Sequence, residues 1–119
     1  MKTVTIAALQ RSWSENTGEN VQRAEDWIRI AAAKGANLIL LPELFESPYF
    51  CKEQRPVHFD RAHPVTNHPT LIRMQQLARE LAVVLPVSFF EKAGPVFFNS
   101  LAMVDADGEL LGLYRKSHI

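Results

Sequence analysis

Two short apolar segments flank an amphipathic segment within the first 41 residues, and this order strongly restricts the folds open to the chain. Residues 3–9 alternate in polarity before ending in Ala-Ala-Leu, which is typical of a strand with one buried face. Residues 18–34 carry apolar side chains at helical spacing, and Gly35 follows where a C-terminal cap belongs. The continuous apolar run at 38–41, ended by Pro42, suits a strand that is covered on both faces. The sequence therefore predicts a strand–helix–strand unit with parallel strands and a fold of the α/β class.

The rest of the chain predicts one more helix and three more strands, which follow a long irregular segment. This segment, from Glu43 to about Thr66, exceeds the usual length of connections in compact domains, and such segments are typically functional. An Asp-Gly pair lies between the last two strand patterns and indicates a hairpin. Pro86, within the third strand pattern, favours a bulge or a sheet edge. The predicted elements are a helix over 68–82 and strands over 83–90, 99–104 and 109–115.

Composition excludes several classes of partner and site. The 13 basic and 13 acidic side chains give a formal net charge of +0, so the chain lacks the positive charge of typical nucleic-acid binders. Its single cysteine can form no disulfide within the chain and belongs to no zinc-binding pattern. No apolar run approaches the ~20 residues that span a bilayer, and the start is too short and mixed for a signal peptide. We therefore expect a cytoplasmic protein that binds neither nucleic acid nor membrane.

Glu43 is the first candidate catalytic residue, because it follows directly after the apolar run and Pro42. Sites in open α/β sheets form beyond the carboxyl ends of strands. A carboxylate between Leu41 and Leu44 is expected to be partly desolvated, which would raise its pKa into the range useful for a general base. The alternative is a solvated carboxylate or one that caps a helix.

Lys116 and Cys51 are the next candidates. Lys116 follows the last predicted strand, and a lysine at such a position can stabilise the negative charge that develops on a reacting carbonyl oxygen. An ordinary basic strand end is the alternative for Lys116. Cys51 stands beside Lys52 and could be a nucleophile with a lowered pKa. It lies on no predicted strand-to-helix turn, so a buried or pocket-lining thiol is the favoured interpretation.

The remaining polar candidates carry weaker signals. Glu46 and Asp60 lie in the long irregular segment and could face a cationic ligand, although a solvated surface position is the favoured interpretation for each. The first strand-to-helix connection contains only Gly18 and lacks the glycine-rich loop of a phosphate site. The four histidines have no metal-ligand spacing and are interpreted as loop or helix-end residues: His58, His63, His68 and His118.

Three segments resemble the nitrilase, or carbon–nitrogen hydrolase, superfamily: residues 4–10, 38–45 and 112–119. Their order and spacing also fit that superfamily, and the resemblance covers essentially the whole chain. Within it, residues 43–51 are similar to the N-carbamoylputrescine amidase branch.

The resemblance implies a four-layer α-β-β-α sandwich and a Glu-Lys-Cys catalytic triad. Glu43 matches the general base of the superfamily, and Lys116 matches the lysine that stabilises the oxyanion. The cysteine nucleophile of the superfamily lies further along than residue 119, and Cys51 does not match its position. Glu46 and Tyr49 are the candidates for substrate binding.

The function that the resemblance implies is hydrolysis of a non-peptide carbon–nitrogen bond through a thioester. The expected reaction converts N-carbamoylputrescine to putrescine with release of ammonia and carbon dioxide. It requires a small carbamoyl or amide substrate and no metal or organic cofactor, and the complete enzyme is expected to be a homo-oligomer. We expect residues 1–119 to be the N-terminal part of a single hydrolase domain, incomplete in this chain, and to be inactive without the nucleophile.

Three alternatives stay open at this point. One is another amidase or an N-carbamoyl amino acid hydrolase of the same superfamily. The second is a non-catalytic half-domain that acts as an interaction or dimerisation module, because the predicted sheet has more apolar surface than the two helices can cover. The third, a nucleotide-binding domain, is disfavoured by the missing glycine-rich loop.

Overall fold

A computed structural model describes residues 2–118, and in it two helices pack against one side of a sheet. The α/β class predicted from the sequence is confirmed. Two short 3₁₀ helices interrupt the long connection between the second strand and the second helix. The elements are β1 (Ile6–Ala8), α1 (Thr17–Ala33), β2 (Leu38–Leu40), the 3₁₀ helices Phe50–Lys52 and Pro56–Arg61, α2 (Pro69–Leu81), β3 (Leu85–Ala93), β4 (Val96–Val104) and β5 (Leu110–Arg115).

The predicted strand–helix–strand unit is present, with β1 parallel to β2 and Ile6 paired with Leu38. Helix α1 begins where expected, because the side chain of Asn16 accepts a hydrogen bond of 2.9 Å from the backbone N–H of Glu19. The prediction of a strand over 3–9 is too long, since only three residues pair as a strand. Before β1, a side chain takes the place of strand pairing: the backbone N–H of Thr5 donates a hydrogen bond of 2.9 Å to Oδ1 of Asn37.

Strands β3, β4 and β5 form an antiparallel sheet in that order. Val84, just before β3, joins this sheet to β2, because its carbonyl accepts from Ile39 N at 3.0 Å and its N–H donates to Asn37 O at 2.8 Å. Pro86 lies beyond this contact, where β3 pairs with β4 alone, so the sheet-edge interpretation holds on that side. The register shift lies instead in β4, between Met103 and Val104.

The predicted hairpin between β4 and β5 is present. Gly108 closes it with φ of +87° and an N–H donated to Asp105 O at 2.9 Å. A second turn at Gly94, with φ of +60°, joins β3 to β4. Because β3 and β4 pair along their full length, β4 begins at Val96 and not at residue 99 as predicted.

The core lies between the helices and one side of the sheet. Apolar side chains of α1 and α2 pack against every second residue of β2, β3 and β4. The residues between them point to the opposite side of the sheet. The helix-side core includes Ala24 and Ile28 of α1, Leu71 and Met74 of α2, Ile39, Leu85, Val87, Phe89, Ala102 and Val104, all 0% exposed. These residues make one helical layer and one sheet layer, which correspond to two of the four layers of the predicted sandwich.

The other side of the sheet, which we call the open side, carries neither α1 nor α2 within residues 2–118. The 3₁₀ helix Pro56–Arg61 reaches this side, where Phe59 contacts Phe97 of β4 with ring centroids 4.6 Å apart. Leu40 of β2 and Tyr114 of β5 face the open side and are 44% and 61% exposed. Within the same described range, no helix has the length and apolar content needed to cross a membrane.

Candidate active site

Glu43 and Lys116 meet on the open side of the sheet, although 72 other residues separate them in the chain. Lys116 Nζ donates a hydrogen bond to Glu43 Oε1 at 2.7 Å. Glu43 stands just beyond β2 and Lys116 just beyond β5, so each strand end delivers one of the two side chains. The expected proximity of Glu43 and Lys116 is therefore observed.

A strained turn fixes the direction of Glu43. The next residue, Leu44, has φ of +50°, a left-handed conformation that is unusual for a branched, buried side chain. Its backbone N–H donates to Ser88 Oγ at 2.8 Å, and this bond attaches the turn to β3. Such strain persists only where the surrounding structure enforces it, and here Ser88 and the burial of Leu44 do so.

Lys116 is fixed through the residue before it. Arg115 points to the helix side of the sheet, where its Nε and Nη2 donate to the two oxygens of Glu91 at 2.9 and 2.8 Å. Glu91 is 2% exposed and also accepts from Ser100 Oγ at 2.8 Å. Because neighbouring residues point to opposite sides of an extended chain, this bidentate pair directs Lys116 to the open side.

Asn99 of β4 completes the cluster and was not singled out from the sequence. Its Nδ2 donates to Glu43 Oε1 at 2.7 Å, and its backbone oxygen accepts from Lys116 N at 2.9 Å. Asn99 is 4% exposed. A polar residue inside an otherwise apolar strand pattern was the available signal, and the same signal applies to Ser88 in β3.

The electrostatics of Glu43 differ from the expectation. The hydrogen bond from Lys116 lowers the pKa of Glu43 below its ordinary value, and this effect outweighs the partial burial that raises it. The predicted increase in the pKa of Glu43 is therefore wrong for this structure. The same hydrogen bond raises the pKa of Lys116, so the two groups form an ion pair at neutral pH.

Tyr49 and Cys51 lie beside this pair. Burial raises the pKa of the Tyr49 hydroxyl, and the nearby Cys51 and Glu43 raise it further. Burial also raises the pKa of the Cys51 thiol, against a smaller lowering by a hydrogen bond from Tyr49. Cys51 is therefore a protonated, partly buried thiol at neutral pH, which does not favour an activated nucleophile.

Glu46 lies apart from the pair of Glu43 and Lys116. It lines a cavity of about 410 Å³ together with Asp60 and His63. Burial raises the pKa of Glu46. The groove that contains the pair has a volume of about 430 Å³ and is lined by Leu40, Leu41, Glu43, Ser88, Asn99, Ser100, Leu101, Tyr114 and Lys116.

His68 directly precedes α2 and lies near Glu46. It is 0% exposed, and its Nε2 stands 3.9 Å from Glu46 Oε2, too far for a hydrogen bond. Burial lowers the pKa of His68 to about 4. Among residues 2–118, no group of three or more His, Cys, Asp or Glu side chains is arranged to hold a metal ion.

Residues 4–119 match the protein family described as carbon-nitrogen hydrolase. The chain belongs to this family. It is 55% identical to the N-carbamoylputrescine amidase of Arabidopsis thaliana over 118 residues, which are 99% of this chain and 40% of that relative. It is also 43% identical to the citrullinase of Francisella tularensis over 119 residues, which are 100% of this chain and 42% of that relative. The chain thus spans about two fifths of the length of these relatives.

A solved structure supports the same assignment. The carbon-nitrogen hydrolase from Helicobacter pylori G27 superposes with a TM-score of 0.88 at 29% identity, covering 98% of this chain and 40% of that one. The fold is therefore the N-terminal part of the nitrilase-like architecture, as the sequence predicted. The family membership and the similarity to N-carbamoylputrescine amidases predicted from the sequence are both confirmed.

Proposed function

We propose that residues 1–119 form the N-terminal part of a single carbon–nitrogen hydrolase domain whose complete form hydrolyses N-carbamoylputrescine to putrescine, ammonia and carbon dioxide. The observation that carries the proposal is the 2.7 Å contact between Lys116 Nζ and Glu43 Oε1 at the ends of two strands. The 55% identity to proteins named N-carbamoylputrescine amidase supports this substrate over others of the family.

In the proposed reaction, a cysteine outside this chain attacks the carbamoyl carbon. Glu43 takes the thiol proton and passes it to the nitrogen that leaves, while Lys116 stabilises the negative charge on the carbonyl oxygen. The resulting thioester is cleaved by water, from which Glu43 accepts a proton that it passes to the departing cysteine sulfur. The carbamic acid that forms then loses carbon dioxide. No metal or organic cofactor takes part in these steps.

The lowered pKa of Glu43 is compatible with this role. It keeps the carboxylate ionised at neutral pH, which a base requires. As negative charge develops on the substrate oxygen, Lys116 shares its positive charge with that oxygen and interacts less with Glu43. The basicity of Glu43 therefore increases at the moment when the proton moves.

Tyr49 and Glu46 are proposed as substrate-binding residues on unequal grounds. Tyr49 is 38% exposed beside the pair, and this position supports a contact with the substrate chain. Glu46 lines the separate cavity, so contact with the cationic amine would require a substrate that extends past Leu44. Each residue is tested by replacing it in an active enzyme. An unchanged KM would show that the replaced residue does not bind the substrate.

A chimera tests the function directly. The matching 118 residues of the Arabidopsis thaliana relative are replaced by those of this chain, and ammonia release from N-carbamoylputrescine is measured. We expect turnover by the chimera and none by the isolated 119-residue chain. Glu43→Gln and Lys116→Ala should each lower kcat by about 10³-fold or more, since each removes a group that acts in the transition state.

Cys51→Ala is the matched control, because it removes a thiol beside the same pair. It should leave kcat within about threefold of the unsubstituted chimera. An inactive, folded chimera, or full activity in Glu43→Gln, would contradict the proposed function. Turnover by the isolated chain that Cys51→Ala abolishes would identify Cys51 as the nucleophile instead.

We also propose, from the sequence, that the complete enzyme is cytoplasmic and homo-oligomeric. A different amidase or citrullinase-type activity is the enzymatic alternative, which the 43% identity to a citrullinase motivates. The exposed open side of the sheet motivates the non-catalytic interaction module, and the same chimera distinguishes the alternatives by its choice of substrate.

A further inference from the structure

Resting on the proposed function, we infer that Asn99 is a positioning residue for Glu43 and that Glu43 Oε2 is the oxygen that takes and returns the proton. Asn99 lies in the middle of β4 and reaches both members of the pair. Its side chain contacts Glu43, and its backbone oxygen contacts Lys116. Nothing in the sequence motifs of the pair itself identifies this residue.

The two donors to Glu43 use the same oxygen. Asn99 Nδ2 and Lys116 Nζ both stand 2.7 Å from Oε1, and within residues 2–118 neither of them binds Oε2. Two donors occupy the lone pairs of one carboxylate oxygen, so a third proton is better accepted by the other oxygen. The carboxylate is thereby divided into an anchored oxygen and a reactive one.

Asn99 holds this arrangement when Lys116 is engaged elsewhere. During reaction Lys116 must direct its charge to the substrate oxygen, which weakens its bond to Glu43. The amide of Asn99 is neutral, 4% exposed and held in a paired strand, so it keeps its bond to Oε1 throughout. Without it, the exposed Glu43 side chain could rotate when its lysine partner turns away.

Asn99 also couples the positions of the two groups. The bond of 2.9 Å from Lys116 N to Asn99 O extends the pairing of β4 with β5 by one step. Asn99 thus fixes the backbone position of Lys116 through its own backbone oxygen and the side-chain rotation of Glu43 through its amide group. A substitution at Asn99 removes only the contact with Glu43, since any other residue retains the backbone oxygen.

The first test measures the pKa of Glu43 in this chain by ¹³C NMR, with the signal assigned through Glu43→Gln. Asn99→Ala removes a donor to the charged carboxylate, so we expect the pKa of Glu43 to rise by roughly 0.5 unit or more. Asn99→Asp, which is nearly isosteric, should raise it further through repulsion, and it serves if the alanine variant fails to fold. Ser100→Ala is the control, because Ser100 is the next residue of β4 and bonds to Glu91 instead.

The second test identifies the oxygen. In Glu43→Gln, both donors select the amide oxygen for the Oε1 position, which leaves the new NH₂ group at the Oε2 position. The Asn99 Nδ2 nucleus should therefore show a scalar coupling across the hydrogen bond to the side-chain carbonyl carbon of residue 43. Absence of this coupling in the folded variant would overturn the oxygen assignment.

The third test uses the chimera and separates this inference from the proposed function. Asn99→Ala should lower kcat by about 10-fold to 100-fold with KM nearly unchanged, and shift the acidic limb of the pH profile upward as the NMR value does. Ser100→Ala should move neither quantity. Unchanged Glu43 pKa values in both Asn99 variants would overturn the inference, whereas an inactive chimera with shifted pKa values would contradict only the function.

Discussion

Two carboxylates three residues apart, Glu43 and Glu46, have pKa values shifted in opposite directions. The hydrogen bond from Lys116 lowers the pKa of Glu43, whereas burial raises that of Glu46. The turn at Leu44 directs the two side chains into different cavities. Their surroundings therefore differ although the two residues are close in sequence. The local sequence around Glu43 suggested desolvation, but the deciding partner comes from the far end of the chain. This is why its pKa was predicted in the wrong direction.

The buried imidazole of His68 predicts a stability that depends on pH. Its pKa in the folded state is about 4, below the ordinary histidine value of 6.5, so the unfolded chain binds the proton more readily between these values. The free energy of unfolding should therefore decrease as pH falls from about 6.5 to about 4, by up to roughly 3 kcal/mol. Urea unfolding at pH 7 and pH 5 measures this change.

Substitution at His68 checks the assignment. His68→Leu removes the titrating group and should flatten the dependence of the unfolding free energy between pH 7 and pH 5. His118→Gln is the control, because it removes an exposed ring that is solvated in both states. Equal slopes in the wild type and in His68→Leu would show that another group causes the dependence.

At the scale of elements, the end of α2 contains a correctable strain. Ala82 follows the helix with φ of 54° and ψ of 46°, a left-handed conformation that glycine adopts without cost. Ala82 is exposed, so its methyl group contributes little packing. We expect Ala82→Gly to stabilise the fold by about 0.5–1 kcal/mol, measured as a higher midpoint of thermal or urea unfolding.

The opposite substitution after α1 provides the comparison. Gly35 already has φ of +96°, so Gly35→Ala should lower the unfolding midpoint although its side chain would meet no neighbour within 4 Å. If Ala82→Gly lowered the midpoint, or Gly35→Ala raised it, backbone strain would not control the helix ends.

The helices were predicted from sequence more accurately than the strands. The predicted spans 18–34 and 68–82 differ from Thr17–Ala33 and Pro69–Leu81 by one residue at each end. Each helix carries its own apolar periodicity and end signals, which are local. The length of a strand depends on its partner, so β1 is shorter than predicted and β4 longer.

At the scale of the whole molecule, the site could be predicted only in part. The resemblance to the family singled out Glu43 and Lys116 as candidates because each belongs to a recognisable motif. Ser88 and Asn99 reach the site through strand pairing. Ser88 bonds to Leu44, 44 residues away in the chain, and Asn99 bonds to Glu43, 56 residues away. No local pattern encodes such pairings, which follow from the order β3–β4–β5 and the contact of β2 with Val84.

The one-sided packing of the sheet predicts the behaviour of the isolated chain. Leu40, Tyr114 and the partly exposed Leu101 form an apolar area on the open side, whereas charged side chains surround the exposed Ile72 of α2. Contiguous apolar surface of this kind promotes association. We expect the 119-residue chain to bind a hydrophobic dye and to self-associate with increasing concentration, measured by sedimentation velocity.

Lysine substitutions at two apolar residues of similar exposure test which surface of the chain self-associates. Leu40 on the open side is 44% exposed and Ile72 on α2 is 42% exposed, so the same substitution at either position should disturb folding equally little. Leu40→Lys should weaken self-association and dye binding because a charge there must be desolvated in any contact that covers the open side. Ile72→Lys should leave both unchanged. Monomeric behaviour without dye binding in the wild type, or an equal effect of both substitutions, would contradict the open side as the associating surface.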